Sequence, residues 1–154
     1  MLLDVKDLAL GGRKEFSFDN EFTVGGVPCS THTSGTAVHT EEGYVISGKV
    51  EAVLSLVCDR CLDTFSRTIV CPLDEVYSND INEEKEYRSY EDKVLDLKDA
   101  VTGAVMLELP LKVLCSEDCR GLCIKCGQNL NKGECGCDRG YINPAFDGLM
   151  DLFK

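Results

Sequence analysis

Eight cysteines fall into four close pairs along the chain: Cys58 and Cys61, Cys115 and Cys119, Cys123 and Cys126, and Cys135 and Cys137. A two-residue spacer lets the backbone fold back so that two sulfurs face one ion. Two tetrahedral zinc sites need eight thiolates, and the pairs supply that number. Cys123-Ile124-Lys125-Cys126-Gly127 is the strongest knuckle signal, because Gly127 takes the positive φ of such a turn without steric cost. Cys123, Cys126, Cys135 and Cys137 then form one compact site. Cys58 and Cys61 are left to meet Cys115 and Cys119 across a long stretch of chain. Four thiolates leave no open coordination position, so the chemistry expected is structural rather than catalytic.

The segment Cys115–Cys137 also shows why a metal is needed. It holds six of the ten cysteines and four glycines (Gly121, Gly127, Gly133, Gly136), with few large apolar residues. It cannot build a hydrophobic core, whereas a structural zinc supplies about 10–16 kcal/mol that acts as folding energy. Two other readings of the cysteines remain open. A disulfide framework suits secreted small domains, and the N-terminal MLLDVKDLAL, broken by Asp4, Lys6 and Asp7, does not read as a secretory signal. A redox dithiol at Cys58/Cys61 wants a βαβ setting, but here the motif lies between strands. Cys29 and Cys71 stand alone and read as free thiols. His32 and His39 lie in a Ser/Thr-rich stretch with no acidic or cysteine neighbour at ligand spacing, so a general-base role is not expected. No nucleophile elbow or phosphate loop is present.

The elements that position these pairs follow from periodicity. Tyr44–Val57 alternates cleanly, with Tyr44, Ile46, Val50, Ala52, Leu54 and Leu56 on one face, which predicts a long strand with one buried side. Phe65–Val70 alternates again, so Cys58-Asp59-Arg60-Cys61 forms the tip of a β-hairpin, with Pro72 ending or edging the second strand and Leu73–Tyr77 extending it. Lys14–Phe18 reads as a strand, with Val5 and Leu8 packing alongside. Gly25–Gly43 reads as loop, with one short strand near Thr36–His39. Ser78–Asp92 has six acidic and two basic residues and reads as a solvated loop or a docking arm for a basic partner. Lys93–Leu97 is a short strand, Asp99 caps a helix over Ala100–Leu109, and Pro110 stops it. Asn143-Pro144 opens a short amphipathic helix over Ala145–Phe153. The class expected is α+β: an antiparallel sheet body over 1–109, a zinc-bound cysteine-rich segment over 110–143, and a short helix over 144–154.

Charge constrains partners. The 154 residues carry a net charge of −11, and residues 1–109 hold 10 basic against 21 acidic groups. Such a body repels nucleic acid and suits basic proteins. Arg60, Lys112, Arg120, Lys125, Lys132 and Arg139 surround the cysteine knot and are the candidate contacts for RNA or a partner. No stretch approaches the ~20 apolar residues of a membrane span. Neither a membrane partner nor a small-molecule substrate is expected, and the expected compartment is the cytoplasm.

Several motifs follow one another along the chain. Leu56-Val57-Cys58-Asp59-Arg60-Cys61-Leu62 precedes the acidic loop, followed by Leu107-Glu108-Leu109-Pro110-Leu111-Lys112, Gly121-Leu122-Cys123 with Cys126-Gly127, Asn129-Leu130-Asn131, and Asn143-Pro144-Ala145-Phe146. This arrangement resembles the YceD family, proteins of large-subunit ribosomal RNA accumulation. The resemblance implies a non-enzymatic factor in ribosome biogenesis, acting through a ribosomal protein or a large-subunit precursor particle. It also places Cys123–Cys137 among features of the cysteine-rich members. A thiol redox or metal-handling role for Cys58/Cys61 is the rival.

Overall fold

The structure, a computed structural model, describes residues 1–79 and 87–138. Its elements are β1 (Leu2–Asp4), β2 (Arg13–Val24), β3 (Val27–Thr40), β4 (Gly43–Val57), β5 (Thr64–Tyr77), β6 (Val94–Asp96) and α1 (Lys98–Glu108). β2, β3, β4 and β5 form one sheet in sequence order, and β1 pairs antiparallel with β6. The chain divides into two compact units. The sheet unit comprises Met1–Leu56 and Phe65–Leu111, and the cysteine unit comprises Val57–Thr64 and the described residues from Lys112 onward.

β4 follows its pattern. Tyr44, Ile46, Val50, Ala52, Leu54 and Leu56 are all buried, joined from the other elements by Val5, Leu95, Leu97, Val101 and Val105. The expected loop at Gly25–Gly43 is instead a strand along most of its length. β3 runs antiparallel to both β2 and β4, so its backbone groups are paired on both edges. That pairing, with β-branched Thr and Val, sustains an extended segment whose inward side chains are small: Cys29, Thr31, Thr33 and Ala37. Gly25 and Gly26, both at positive φ, make the two-residue turn between Val24 and Val27, as a primed hairpin turn requires.

β5 passes through Pro72 and continues to Tyr77. It is an edge strand, where a missing N–H costs no ladder bond. Beyond it the acidic stretch is partly tied in. Arg88 forms a parallel bridge with Tyr77 and a two-pronged ion pair with Glu75, and Tyr90 meets Tyr44 edge-on. The helix cap also differs from expectation: α1 begins after Leu97, and the Asp96 carboxylate, not Asp99, accepts the Lys98 N–H at 2.9 Å. Asp99 sits in the first turn, where a negative charge suits the helix dipole. Leu109 is already extended before Pro110, ending the helix. The helix expected over Ala145–Phe153 and Arg139 both lie outside the described residues.

Candidate metal centres

Both candidate centres lie within the cysteine unit. The first begins at the hairpin tip, where the Cys58 N–H donates to the Asp63 carbonyl at 3.0 Å and the Leu62 N–H to the Cys58 carbonyl at 2.9 Å. The two residues between Cys58 and Cys61 hold the tip to the segment after Pro110. The Asp59 N–H donates to the Val113 carbonyl at 2.8 Å, and the Asp59 carboxylate accepts the Val113 N–H at 2.7 Å. Arg60 donates from its guanidinium to the carbonyls of Cys119, at 2.9 Å, and Glu117, at 3.4 Å. Gly121 then turns the chain at φ +72, where a Cβ would come within 3.0 Å of the Arg60 carbonyl.

These contacts bring Cys58, Cys61, Cys115 and Cys119 together, with all four sulfurs within 4.8 Å of one another. Cys58 to Cys119 and Cys61 to Cys115 each measure 3.7 Å between sulfurs. A disulfide is about 2.05 Å long, so these are separate thiols. A tetrahedron of thiolates about 2.3 Å from a zinc ion has edges of about 3.8 Å, and the observed separations fit it. Cys58, Cys61 and Cys119 are buried, and Cys115 is exposed.

The second centre is local. The Gly127 N–H donates to the Cys123 carbonyl, and the Cys123 N–H to the Gln128 carbonyl, both at 2.8 Å. Gly127 has φ +74, as its place in the knuckle predicts. Cys123, Cys126, Cys135 and Cys137 also place their sulfurs within 4.8 Å of one another. Only Cys123 of this set is buried.

The electrostatics of both sets are those of crowded thiols. Burial raises Cys58, but backbone N–H groups of Cys115, Cys61 and Arg60 outweigh it and hold the thiol down to about 6. N–H groups of Cys126 and Lys125, with help from the Cys135 thiol, likewise lower Cys123 to about 6. Cys115, which donates to Cys119, is pushed up to about 12, and Cys137, which donates to Cys126, goes equally high. Four sulfurs this close cannot all ionise unless a cation sits among them. Two sets of four soft donors are therefore well matched to a metal that prefers thiolate.

The other sequence candidates are dispersed. Lys132 pairs with Asp63 at 3.0 Å and Arg120 pairs with Glu134, so these cations, like Arg60, are engaged within the unit. Lys112 and Lys125 are exposed. His32, with no acidic residue at ligand spacing in the sequence, stands opposite Asp19 across the β2–β3 ladder, with Nδ1 2.7 Å from the carboxylate and Nε2 3.5 Å from the Ser17 hydroxyl. The order matches nucleophile, base and orienting acid. However, the serine lies beyond the ~2.6–3.2 Å reach of such a pair, and the Asp19 side chain is 85% exposed. A cross-strand hydrogen bond between His32 and Asp19 accounts for it. His39 donates to the Leu8 carbonyl at 2.9 Å and stacks on Tyr44, a structural role. Cys29 and Cys71 are buried, and burial raises both thiols.

What the spacing alone does not reveal is a second set of contacts around the sulfurs. Asn131 donates its side-chain amide to the Cys119 sulfur at 3.3 Å, and Asn129 donates to the Asp63 carboxylate at 2.9 Å. The Asn-Leu-Asn run ahead of Cys135 is the only sequence trace of them.

The profile of the family described as Large ribosomal RNA subunit accumulation protein YceD matches residues 46–153. The chain belongs to the YceD family. The resemblance carried by the cysteine, Leu-Pro and Gly-Leu-Cys motifs is thereby borne out. An uncharacterized protein of Mycobacterium tuberculosis is 32% identical over 117 residues, which cover 72% of this chain and 56% of that protein. A chloroplastic protein of Arabidopsis thaliana, named large ribosomal RNA subunit accumulation protein YCED homolog 1, is 27% identical over 139 residues, covering 70% of this chain and 43% of its own. The chain thus spans about half the length of these relatives. No solved structure matches it.

Proposed function

We propose that this protein promotes accumulation of large-subunit ribosomal RNA without catalysing a reaction, and that both cysteine centres hold structural zinc. Membership of the YceD family supports the first part. The observation that carries the second is the gathering of eight thiols into two four-sulfur sets, the first with separations of 3.7 Å that fit a zinc tetrahedron. All-thiolate coordination leaves no position for a reacting water, which favours a scaffold over an enzyme.

The acidic balance favours a basic partner. A chain of net charge −11 engages a basic ribosomal protein or a large-subunit precursor particle more readily than naked RNA. Among the candidate RNA contacts, Lys112 and Lys125 have no ion-pair partner among the described residues, while Arg120 and Lys132 are already neutralised. The working compartment is the cytoplasm, and no helix among the described residues is long and apolar enough to cross a membrane.

Gradient sedimentation of lysate at low salt tests the reading. The protein is expected to travel with large-subunit precursors, and its absence from every ribosomal fraction overturns the proposal. The depressed Cys58 thiol favours one rival, a redox or metal-handling pair at Cys58/Cys61. That rival expects iodoacetamide to modify Cys58 at once. Zinc ligation expects protection until a chelator is added.

A further inference from the structure

The two cysteine centres share a segment. The loop from Gly127 to Glu134 lies between Cys126 and Cys135, so the second centre closes it at both ends. Yet the contacts of this loop run mainly to the first centre. Asn131 donates from Nδ2 to the Cys119 sulfur at 3.3 Å, and its Oδ1 accepts the Arg120 N–H at 2.8 Å. The Leu130 N–H donates to the Gly121 carbonyl at 2.9 Å. Asn129 reaches the Asp63 carboxylate at 2.9 Å, and the backbone carbonyl of Asp63 accepts the Cys58 N–H at 3.0 Å. One side of the first centre is therefore built from residues of the loop that lies between two ligands of the second.

We infer that the two centres are coupled: metal at the exposed second centre, by closing the Gly127–Glu134 loop, delivers Asn131 to Cys119 and so fixes metal retention at the first. Asn131 is a positioning residue, since it acts through Cys119. Its N–H stabilises the thiolate by a charge-assisted bond and sets the sulfur's direction. The asymmetry of exposure gives the coupling an order. Cys126 is exposed and Cys135 and Cys137 half-buried, against three buried ligands in the first set, so solvent, chelator or oxidant reaches the second centre first. Loss there frees the loop, and the first centre then loosens. Reciprocity is a thermodynamic requirement: whatever factor the second site contributes to affinity at the first, the first returns to the second.

This inference rests on the proposed zinc ligation, and the experiment separates the two. Zinc is quantified in the purified protein, and its transfer to the chromophoric chelator pyridylazoresorcinol is followed over time. Fewer than two equivalents sinks the zinc reading and the coupling with it. With two bound, Asn131→Ala is expected to accelerate release of one ion about 10- to 100-fold, the usual effect of removing an outer-shell partner. The pair Cys135→Ser and Cys137→Ser is expected to leave one ion that departs at a similarly raised rate. Adding Asn131→Ala to that pair is expected to change little further, because both lesions remove one contact. Independent sites predict the opposite: an unchanged rate in the serine variant, or effects that multiply in the combination. Either result overturns the coupling while leaving zinc ligation intact. Asn131→Asp guards against misfolding of the serine variant. It keeps the shape and the acceptor for Arg120 but has no proton to donate to sulfur. Normal release of both ions from Asn131→Asp overturns the proposal.

Discussion

The sheet unit and the cysteine unit reach order by different means. In the first, Ile46, Val50, Leu54, Leu95, Val101 and Val105 expose no surface, and burial of hydrocarbon holds the strands and helix together. In the second, the buried apolar side chains among the described residues are Cys58, Cys61, Cys119, Cys123 and a single leucine, Leu130. Sulfur occupies the positions that isobutyl groups hold elsewhere. The two units should therefore answer differently to chelator, cavity, crowding and pH.

Chelation is expected to have the largest effect. Removing each structural zinc withdraws about 10–16 kcal/mol of apparent binding free energy, as much as the whole stability of an ordinary domain. Hydrogen exchange on the metal-stripped, reduced protein should show loss of amide protection over 57–64 and 112–138, with β4 still protected at Ile46, Val50 and Leu54. Equal loss in both units would break the comparison. Leu54→Ala is the mirror image: about 2–5 kcal/mol off the sheet unit, seen as a lower Tm, with zinc content unchanged.

Two glycines sharpen the contrast at smaller scale. A Cβ on Gly48 would lie 2.4 Å from the Ser34 carbonyl oxygen and 2.8 Å from the Gly35 Cα, both backbone atoms of β3. Gly48→Ala is expected to cost about 1–3 kcal/mol in urea denaturation, as overpacking does. Gly136, between Cys135 and Cys137, has nothing within 4 Å of such a Cβ. Gly136→Ala is expected to stay within about 0.5 kcal/mol of the parent. Tight packing constrains glycine in the sheet, whereas sulfur spacing constrains the cysteine unit.

The same difference explains what the amino-acid order disclosed. β4 was legible because its buried face is uniformly apolar, and the cysteine sets because thiol spacing reports its own chemistry. β3 was not, since a central strand paired on both edges tolerates Ser, Thr and Gly, and a pattern built on large apolar side chains passes over it. The Gly25-Gly26 turn was the available signal. Asp99 read as a cap because it is acidic before a helical stretch, yet Asp96 supplies the bond, a choice set by the pairing of β6 with β1. Asp59 and Asp63 gave no sign of their contacts, and Asn129 and Asn131 showed only as an Asn-Leu-Asn run. Their partners are remote in sequence, and Asn131 is brought to Cys119 only by folding.

The two units also differ in their response to pH. Protons compete with metal for thiolates, so the cysteine unit should weaken as pH falls. In the sheet unit the telling group is Tyr77, 1% exposed, whose hydroxyl donates to the Asp96 carbonyl at 2.8 Å. Burial raises its pKa from 10.0 to about 12. The folded state thus keeps the proton where the unfolded chain has lost it. Its contribution is complete below pH 10 and fades as pH rises towards 12. Tyr77→Phe removes both the hydrogen bond and the titration. The variant is expected to be about 0.5–1.5 kcal/mol less stable than the parent at neutral pH. That gap should close between pH 10 and 12, as the parent alone loses its tyrosine contribution. Urea denaturation of the zinc-loaded protein at the two ends of this range, read by tyrosinate absorbance, measures it. A gap that stays constant would show that the Tyr77 proton does not separate the folded from the unfolded state, and alkali sensitivity would then have to be sought among the thiols.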